Sequence, residues 1–244
     1  MCGRYTLITP EKVLAERFSL DAVPTWSPRY NLAPSQDGLI VRRTTTAPER
    51  SADRLRWGLI PHWAHEGVRL PTMINARSET AAEKPAFRDP FKHRRCLVLA
   101  DGFIEWSRRS GEKMPYIFDM TDAQPFAMAG LWDRWKPKSE SDREGQVMAT
   151  FTILTTAANA VLEPYHDRMP VILDDDASDA WLDPYLVAPE LLTRFLKPFP
   201  NHGIRVKPIS PIVNNIKHDD PSCLEAPPRM DPRPPAPSQL DLDI

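Results

Sequence analysis

A succession of β-type runs with little regular helix between them is the feature that most constrains the fold of this 244-residue chain. The runs are rich in β-branched and aromatic residues, are bounded by polar turn-forming stretches, and comprise residues 38–41, 72–76, 96–100, 116–120, 126–131, 148–155 and 204–207. Helical patterns are limited to a capped start at residues 9–12 and to residues 177–182 and 189–196. A doubly wound parallel sheet needs strands and helices in regular alternation. We therefore predict an α+β domain around a curved, largely antiparallel β-sheet or barrel core with flanking helices, with runs 116–120, 126–131 and 148–155 forming an antiparallel meander.

The C-terminal end differs in composition from the rest of the chain. Seven of the 27 prolines lie in residues 219–244, together with six acidic and two basic residues. Such a segment cannot form a β-ladder or bury a core. It predicts a Pro-rich disordered tail over 219–244 and a single domain over 2–218. Because the tail carries the excess acid, the overall net charge of −2 does not exclude a polyanionic partner.

The three cysteines are far apart, at Cys2, Cys96 and Cys223. This spacing provides neither a disulfide framework nor a zinc ligand pair, and we expect no metal and no other cofactor. Cys96 begins an apolar run and is expected to behave as a small hydrophobic residue, while Cys223 falls in the predicted tail. No apolar run is long enough to span a membrane, and no signal peptide is visible. We expect a cytoplasmic protein with no membrane partner.

The position of Cys2 is more informative than the number of cysteines. Initiator methionine is normally removed before a residue as small as cysteine, which leaves a 1,2-aminothiol at the N-terminus. An α-amine with a pKa of about 7.7–8.0 has a free-base fraction at pH 7 roughly two to three hundredfold larger than that of a lysine. The amine can form an imine with an aldehyde, and the thiol can then close a thiazolidine ring on the same carbon. A cationic neighbour such as Arg4 is expected to activate the thiol. The simpler interpretation is an accidental cysteine on a frayed end, although the run 5–7 is expected to anchor the terminus as a strand.

Five further segments are unusual and stand in a defined order. They read RYNLAP at 29–34, WGLIPHW at 57–63, INARSET at 74–80, ADGFIEW at 100–106 and YHDRMP at 165–170. Together with the CGRY start at 2–5, they closely resemble the SRAP (SOS response-associated peptidase) family over residues 2–218. The resemblance implies a monomeric DNA-damage-response protein that binds single-stranded DNA and forms a covalent thiazolidine crosslink between its N-terminal cysteine and the ring-opened aldehyde of an abasic site. It also implies lyase-like Schiff-base chemistry, self-reversal, and autoproteolytic removal of Met1, and in a bacterium an association with the nucleoid.

The four catalytic residue types of the family fall on Cys2, Asn75, Glu105 and His166. A carboxylic acid in apolar surroundings can hold a proton near neutral pH and donate it to the carbinolamine or the sugar oxygen, and we assign this role to Glu105. His166 can shuttle protons at working pH, and Asn75 can orient the Cys2 backbone without adding charge. Taken singly, each has a simpler interpretation: a solvated strand-end carboxylate, a histidine bonded to Asp167 in a turn, and a helix cap.

DNA binding calls for cations that contact phosphates and for aromatic side chains that stack on bases. Basic and aromatic residues inside the motifs, with two more implied by the resemblance, give the candidate DNA contacts Arg4, Asn31, Pro34, Trp63, Arg77, Trp106 and Arg168. The other five tryptophans are interpreted as core. The chain has Ala64 and Lys84-Pro85 where the family carries a second tryptophan and an arginine, so the resemblance carries over the chemistry but not these strand-separation or duplex-junction contacts.

Two other functions are compatible with parts of the sequence. N-terminal-nucleophile glutaminases and peptidases also begin Met-Cys-Gly and use the cysteine thiol as nucleophile with its own amine as base. The chain lacks the synthase domain that usually accompanies a glutaminase. A non-enzymatic single-stranded-DNA-binding module with an inert Cys2 is the third hypothesis. Replication partners and junction preference cannot be read from the sequence.

Overall fold

A computed structural model of the chain describes residues 2–65, 72–107, 113–136 and 147–227. The β-strands in these ranges are β1 Tyr5–Leu7, β2 Arg29–Leu32, β3 Asp37–Thr44, β4 Ala47–Trp57, β5 Asn75–Arg77, β6 Arg95–Ala100, β7 Gly102–Ser107, β8 Met114–Met120, β9 Phe126–Trp135, β10 Met148–Ala157, β11 Arg168–Pro170, β12 Ile172–Leu173 and β13 Ile204–Pro208. The α-helices are α1 Glu11–Phe18, α2 Ser78–Ala81, α3 Arg88–His93, α4 Asp175–Leu182 and α5 Pro189–Leu192, with short 3-10 turns at Thr193–Phe195, Asn201–Gly203, Pro211–Asn214 and Pro221–Leu224.

The larger sheet closes into a five-stranded barrel. Its strands follow the order β10-β4-β3-β6-β9, and β9 pairs back with β10. The pairing of β10 with β4 is parallel, and the other pairings in the ring are antiparallel. Three short strands extend the ring: β5 and β11 lie along β10, and β12 lies along β9. Closure satisfies the edge hydrogen bonds that an open sheet would expose.

The second sheet is antiparallel, in the order β13-β8-β7-β1-β2. Strand β1 lies in its interior, where Tyr5 is opposite Phe103 of β7 on one side and Leu32 of β2 on the other. The N-terminal residues are therefore fixed between two strands and next to β7. This placement positions the terminus and is the most important consequence of the fold for function.

Aromatic side chains fill the space between the two sheets. The Tyr5 and Trp57 rings meet edge to face at 5.2 Å, and Trp57 stacks parallel to Phe151 at 6.4 Å. All three side chains are fully buried. Gly38 is required at this point, because a Cβ there would lie 2.1 Å from the Tyr5 hydroxyl oxygen. Each buried aromatic ring of this kind contributes about 1.5–3 kcal/mol to the free energy of folding.

The predicted α+β class with a largely antiparallel core is confirmed. The runs at 38–41, 96–100, 116–120, 126–131, 148–155 and 204–207 all lie in strands, and helices occupy the three predicted regions. In the run 72–76 only the last two residues join a strand, while Met73 forms a single bridge with Leu59. The predicted meander is wrong: β9 pairs with β10, but β8 pairs with β7 and β13 in the other sheet. Strand β8 lies between β7 and β13 in the second sheet, whereas β9 lies between β6 and β10 in the barrel.

The packed chain continues beyond residue 218. The Asp219 carboxylate accepts hydrogen bonds from Arg29 Nε and from the backbone N–H groups of Tyr30 and Asn31. Cys223 is fully buried against the second sheet. Residues 219–227 therefore belong to the domain. The predicted disordered tail is limited to residues 228–244, which lie outside the described residues. Most of the charged loop at 136–146 also lies outside them. No helix among the described residues is long and apolar enough to span a membrane.

Candidate active site

Cys2 is held in place through its backbone. The Ile104 N–H donates to the Arg4 carbonyl (2.9 Å), which fixes the start of β1 against β7. The Asn75 side-chain amide donates from Nδ2 to the Cys2 carbonyl (2.8 Å). The thiol lies 3.9 Å from the Arg4 carbonyl oxygen, and the residue is fully buried. The terminus is therefore not frayed.

Glu105 lies within β7, opposite Tyr116 of β8, and not at the end of the strand. Its side chain is only 4 % exposed. Burial raises the pKa of the Glu105 carboxyl, and the nearby Asp167 carboxylate adds to that increase. Glu105 is buried, so the solvated strand-end interpretation is wrong, and its role as a proton donor stays a prediction.

The antiparallel pairing of β1 with β7 brings the Cys2 end of β1 to the part of β7 that carries Glu105. Burial raises the pKa of the Cys2 thiol, and the Glu105 charge raises it further. The expected activation of the thiol by Arg4 is therefore wrong. The Arg4 guanidinium instead donates to Asn31 Oδ1 (2.6 Å) and to the Val213 carbonyl (2.8 Å).

Asn75 is positioned by the barrel. It pairs with Ile153 as the first residue of β5, and the chain turns into α2 three residues later. Asn75 is therefore not the cap of that helix. Its Oδ1 atom is buried and has no hydrogen-bond partner among the described residues.

His166 follows a short turn that packs onto the second sheet. The centroid of the neighbouring Tyr165 ring lies 4.7 Å from that of Tyr116 and 5.3 Å from that of Phe118. Since Tyr116 is opposite Glu105, this packing brings the turn to the Glu105 strand. His166 Nδ1 lies 2.9 Å from the Arg168 backbone nitrogen, whose N–H can donate to it. The same Nδ1 atom lies 2.9 Å from Asp167 Oδ1, to which the protonated ring can donate.

Arg168 is committed to a protein carboxylate. Its guanidinium donates to both oxygens of Glu79 (2.6 and 2.8 Å) and also to the Thr155 carbonyl. This bidentate pair lowers the pKa of Glu79 and joins β11, which follows His166, to α2, which follows Asn75. We call it the Arg168–Glu79 clamp. Arg77, by contrast, is exposed.

Two candidate DNA contacts serve first to hold the chain together. Asn31 is fully buried, and its Nδ2 donates to the carbonyls of residues 213, 215 and 218. The partly exposed Trp106 donates from Nε1 to Asn214 Oδ1 (2.6 Å), and its ring has Arg4 at 5.7 Å and Lys113 at 4.9 Å. Pro34 is partly exposed in the turn between β2 and β3.

A cleft of about 650 Å³ extends from Asn75 to Trp63. Trp63 is 49 % exposed, whereas the five tryptophans interpreted as core are buried as predicted. The remaining lining residues are Met73, Lys84, Pro85, Ala86 and Phe87. The cleft therefore combines apolar walls with one lysine ammonium, a composition suited to a strand with unpaired bases.

Three contributors to the site have no signal in the local sequence. The packing of Tyr165 on Tyr116, the Arg168–Glu79 clamp and the attachment of Asp219 to β2 each join residues far apart in the chain. No spacing rule connects such pairs. In the described part of the chain, no group of three or more His, Cys, Asp or Glu side chains could hold a metal ion.

A cysteine at position 2, held by the Asn75 amide next to the strand that carries a buried carboxyl, defines the class of site that the fold presents. The family model for SOS response associated peptidase (SRAP) matches residues 1–216, and the chain belongs to this family. Abasic site processing protein YoqW of Bacillus subtilis (strain 168) is 38 % identical over 230 residues, covering 93 % of this chain and 100 % of that protein. Abasic site processing protein HMCES of Xenopus tropicalis is 33 % identical, covering 82 % and 67 %.

Solved structures show the same fold. A protein from Bacteroides thetaiotaomicron superimposes with a TM-score of 0.77 at 25 % identity, covering 92 % of this chain and 99 % of that one. A protein from Bordetella bronchiseptica gives a TM-score of 0.72 at 28 % identity, covering 86 % and 100 %.

Proposed function

We propose that this protein processes abasic sites in single-stranded DNA by forming a covalent thiazolidine with the ring-opened sugar through Cys2 after removal of Met1. The observation that carries the proposal is the convergence of Asn75 and Glu105 on Cys2. The relatives named abasic site processing proteins support the same substrate. The site supplies an amine, a thiol and a proton-holding acid at one point.

The chemistry begins at the amine. The free base of the Cys2 α-amine attacks the aldehyde carbon, and a proton moves from nitrogen to oxygen to give a carbinolamine. The protonated Glu105 carboxyl donates to the departing hydroxyl, which leaves as water, and a protonated imine forms. The thiol then adds its sulfur to the imine carbon and gives its proton to the Glu105 carboxylate, while the C=N electron pair returns to nitrogen, which becomes the neutral ring amine of the thiazolidine. The net reaction joins aminothiol and aldehyde and releases one water.

The high pKa of the thiol gives Glu105 a second role. A buried thiol ionises poorly at neutral pH, so a base is required when sulfur adds to the imine. Glu105 has become a carboxylate at that stage, because it has just donated its proton. The raised pKa of Glu105 makes both transfers feasible near neutral pH. The same steps in reverse open the thiazolidine and release the aldehyde, so self-reversal of the crosslink also proceeds through Glu105.

His166 and Asn75 support these steps. The imidazole can pass a proton to the ring oxygen of the closed sugar and so favour the aldehyde form. The Asn75 amide holds the Cys2 carbonyl, which leaves the α-amine and thiol in one orientation relative to Glu105. The DNA strand then lies in the cleft beside Trp63, with Lys84 and the exposed Arg77 available to backbone phosphates.

The deciding experiment is the intact mass of the product with a short single-stranded oligonucleotide carrying one abasic site. We expect the mass of the processed protein plus the DNA minus one water, stable without reduction. Cys2→Ala keeps the amine and should give only an imine, which is trapped by borohydride and releases cleaved strand by β-elimination. A Cys2→Ala protein that forms the same stable adduct would refute the mechanism.

Two simple controls address the other functions. Release of ammonia from glutamine by the purified protein would favour the N-terminal-nucleophile glutaminase hypothesis. Salt-sensitive DNA binding without any product that survives denaturation would favour the DNA-binding module with an inert Cys2.

A further inference from the structure

The end of the barrel remote from Cys2 contains a cavity that the function above does not use. Its volume is about 260 Å³, and it is lined by Arg42, Thr44, Thr46, Ala47, Ser51, Trp132 and Arg134. Two of these side chains are guanidinium groups and three are hydroxyls. None of them belongs to the candidate catalytic set or to the cleft beside Trp63.

The register of β10 places this cavity and the active site at opposite ends of the barrel. Asn75 pairs with Ile153 and Arg168 pairs with Ala157, toward the end of the strand. Arg134 pairs with Ala149 near the start of the strand. Strand β4 runs parallel to β10, with Arg56 opposite Thr150, so Ser51 lies beyond the start of β10. The two sites are therefore separate.

Two donors at the cavity lack acceptors. Arg42 Nε donates a hydrogen bond to Asp53 Oδ2 (2.8 Å), while Arg42 Nη1 is buried with no hydrogen-bond partner in the described ranges. The Trp132 side chain is 5 % exposed, and its Nε1 is likewise buried without a partner. A buried donor without an acceptor destabilises the folded state. Both donors belong to residues that line one cavity, and the exposed Arg134 lines the same cavity. A rotation of the Arg42 or Trp132 side chain would bring its donor to an acceptor bound there.

The charge of the cavity indicates which acceptor fits. The Arg42 guanidinium stacks on the Trp132 ring at 4.3 Å, and Arg134 lies 5.5 Å from the same ring. Asp53 balances Arg42, but Arg134 is exposed and forms no ion pair with any described residue. The cavity therefore carries a net positive charge together with the hydroxyl donors of Thr44, Thr46 and Ser51. Guanidinium groups held on an aromatic face are well suited to recognition of a phosphate group.

We propose that this cavity, formed by Arg42, Trp132 and Arg134, is a second, non-catalytic site that binds a phosphate group. The phosphate can come from a small phosphorylated molecule or from the backbone of a bound DNA strand. The recognition chemistry is the same in both cases. The proposal does not depend on the crosslinking reaction, because no residue is shared with it.

The test is a titration of inorganic phosphate into the full chain, followed by 31P NMR and by calorimetry at ionic strength matched with chloride. Trp132→Phe removes the indole donor and keeps an aromatic ring, and Arg134→Gln removes an exposed charge that packs little. Each should weaken phosphate binding about tenfold, the loss expected for one hydrogen bond to a charged group. Arg54→Gln, another exposed arginine on the barrel outside the cavity, should bind phosphate as the parent does.

Oligonucleotides of increasing length identify the source of the phosphate. If a DNA strand supplies it, Arg134→Gln weakens binding of long single strands and leaves short ones unaffected. If a small molecule supplies it, Arg134→Gln weakens only free phosphate. Equal phosphate affinity in the parent, Trp132→Phe and Arg134→Gln proteins, or no saturable phosphate binding, would overturn the proposal. Repeating the titration with Cys2→Ala protein separates this result from the crosslinking reaction.

Discussion

At the scale of single residues, Glu105 links the structure most directly to chemistry. The Cys2 amine reacts only as the free base, whereas the proposed acid step needs Glu105 protonated. Burial raises the pKa of Glu105, so the proton is retained to a higher pH than in an ordinary glutamic acid. The crosslinking rate should rise as the amine loses its proton and fall again as pH passes through the raised pKa of Glu105.

Glu105→Gln should abolish the alkaline decline and slow crosslinking by about 10²-fold or more, the usual contribution of a general acid. The measurement is the initial rate of covalent product as a function of pH. Glu163→Gln, an exposed glutamate in the turn before His166, is the matched control and should retain the parent profile. Glu105→Ala should also leave the adduct more persistent. An unchanged pH profile in Glu105→Gln would contradict the assignment.

Asn75 acts through the backbone of the terminus. Asn75→Ala removes the 2.8 Å hydrogen bond to the Cys2 carbonyl, a loss of about 1–3 kcal/mol when a buried partner is left unsatisfied. If this free energy is added to the activation barrier, crosslinking should be about tenfold to hundredfold slower in Asn75→Ala. Affinity for DNA without an abasic site should stay the same. A rate equal to that of the exposed-site control Asn201→Ala would mean that Asn75 does not orient Cys2.

The order of the motifs led to the prediction of these residues, but their surroundings were not predictable from the sequence. The resemblance placed Cys2, Asn75, Glu105 and His166 in one site, and the structure brings Asn75 and Glu105 to Cys2. The role expected of Arg4 failed because its guanidinium is occupied by Asn31 and by the carbonyl of residue 213, more than 200 positions away. No sequence pattern encodes such a long-range hydrogen bond.

At the scale of elements, the Arg168–Glu79 clamp separates positioning from DNA binding. It joins the segment carrying His166 to the helix that follows Asn75. If the clamp positions these segments, Glu79→Gln and Arg168→Gln should each slow crosslinking, and the double variant should be no slower than the worse single one. A direct phosphate contact by Arg168 would instead reduce the salt dependence of DNA binding in Arg168→Gln alone. Rates and salt slopes for the four proteins distinguish the two roles.

Element types were largely predictable, whereas their neighbours were not. The continuous apolar run of β9 predicts a buried strand, and the structure shows its residues buried on both faces of the sheet. The separation of β8 from β9 into different sheets depends on the partners available to each edge, and those come from distant parts of the chain. The parallel pairing of β10 with β4, which closes the barrel, joins residues about 90 positions apart in sequence and carries no local signal.

At the scale of the whole molecule, residues 219–227 complete the domain and do not belong to a dispensable tail. Asp219 accepts hydrogen bonds from β2, which lies beside β1, and Cys223 joins the small apolar cluster beneath Trp106. Removing residues 219–244 should therefore cost about 3–5 kcal/mol, from two to three charge-assisted hydrogen bonds and one buried side chain. Removing only residues 228–244 takes away none of these contacts.

Thermal unfolding should show a Tm lowered by about 10 °C in the longer truncation and unchanged in the shorter one. Asp219→Asn isolates the hydrogen-bonding part and should fall between them. Equal stability of the two truncated proteins would show that the packing of 219–227 contributes nothing to the fold, and the domain would then end at residue 218.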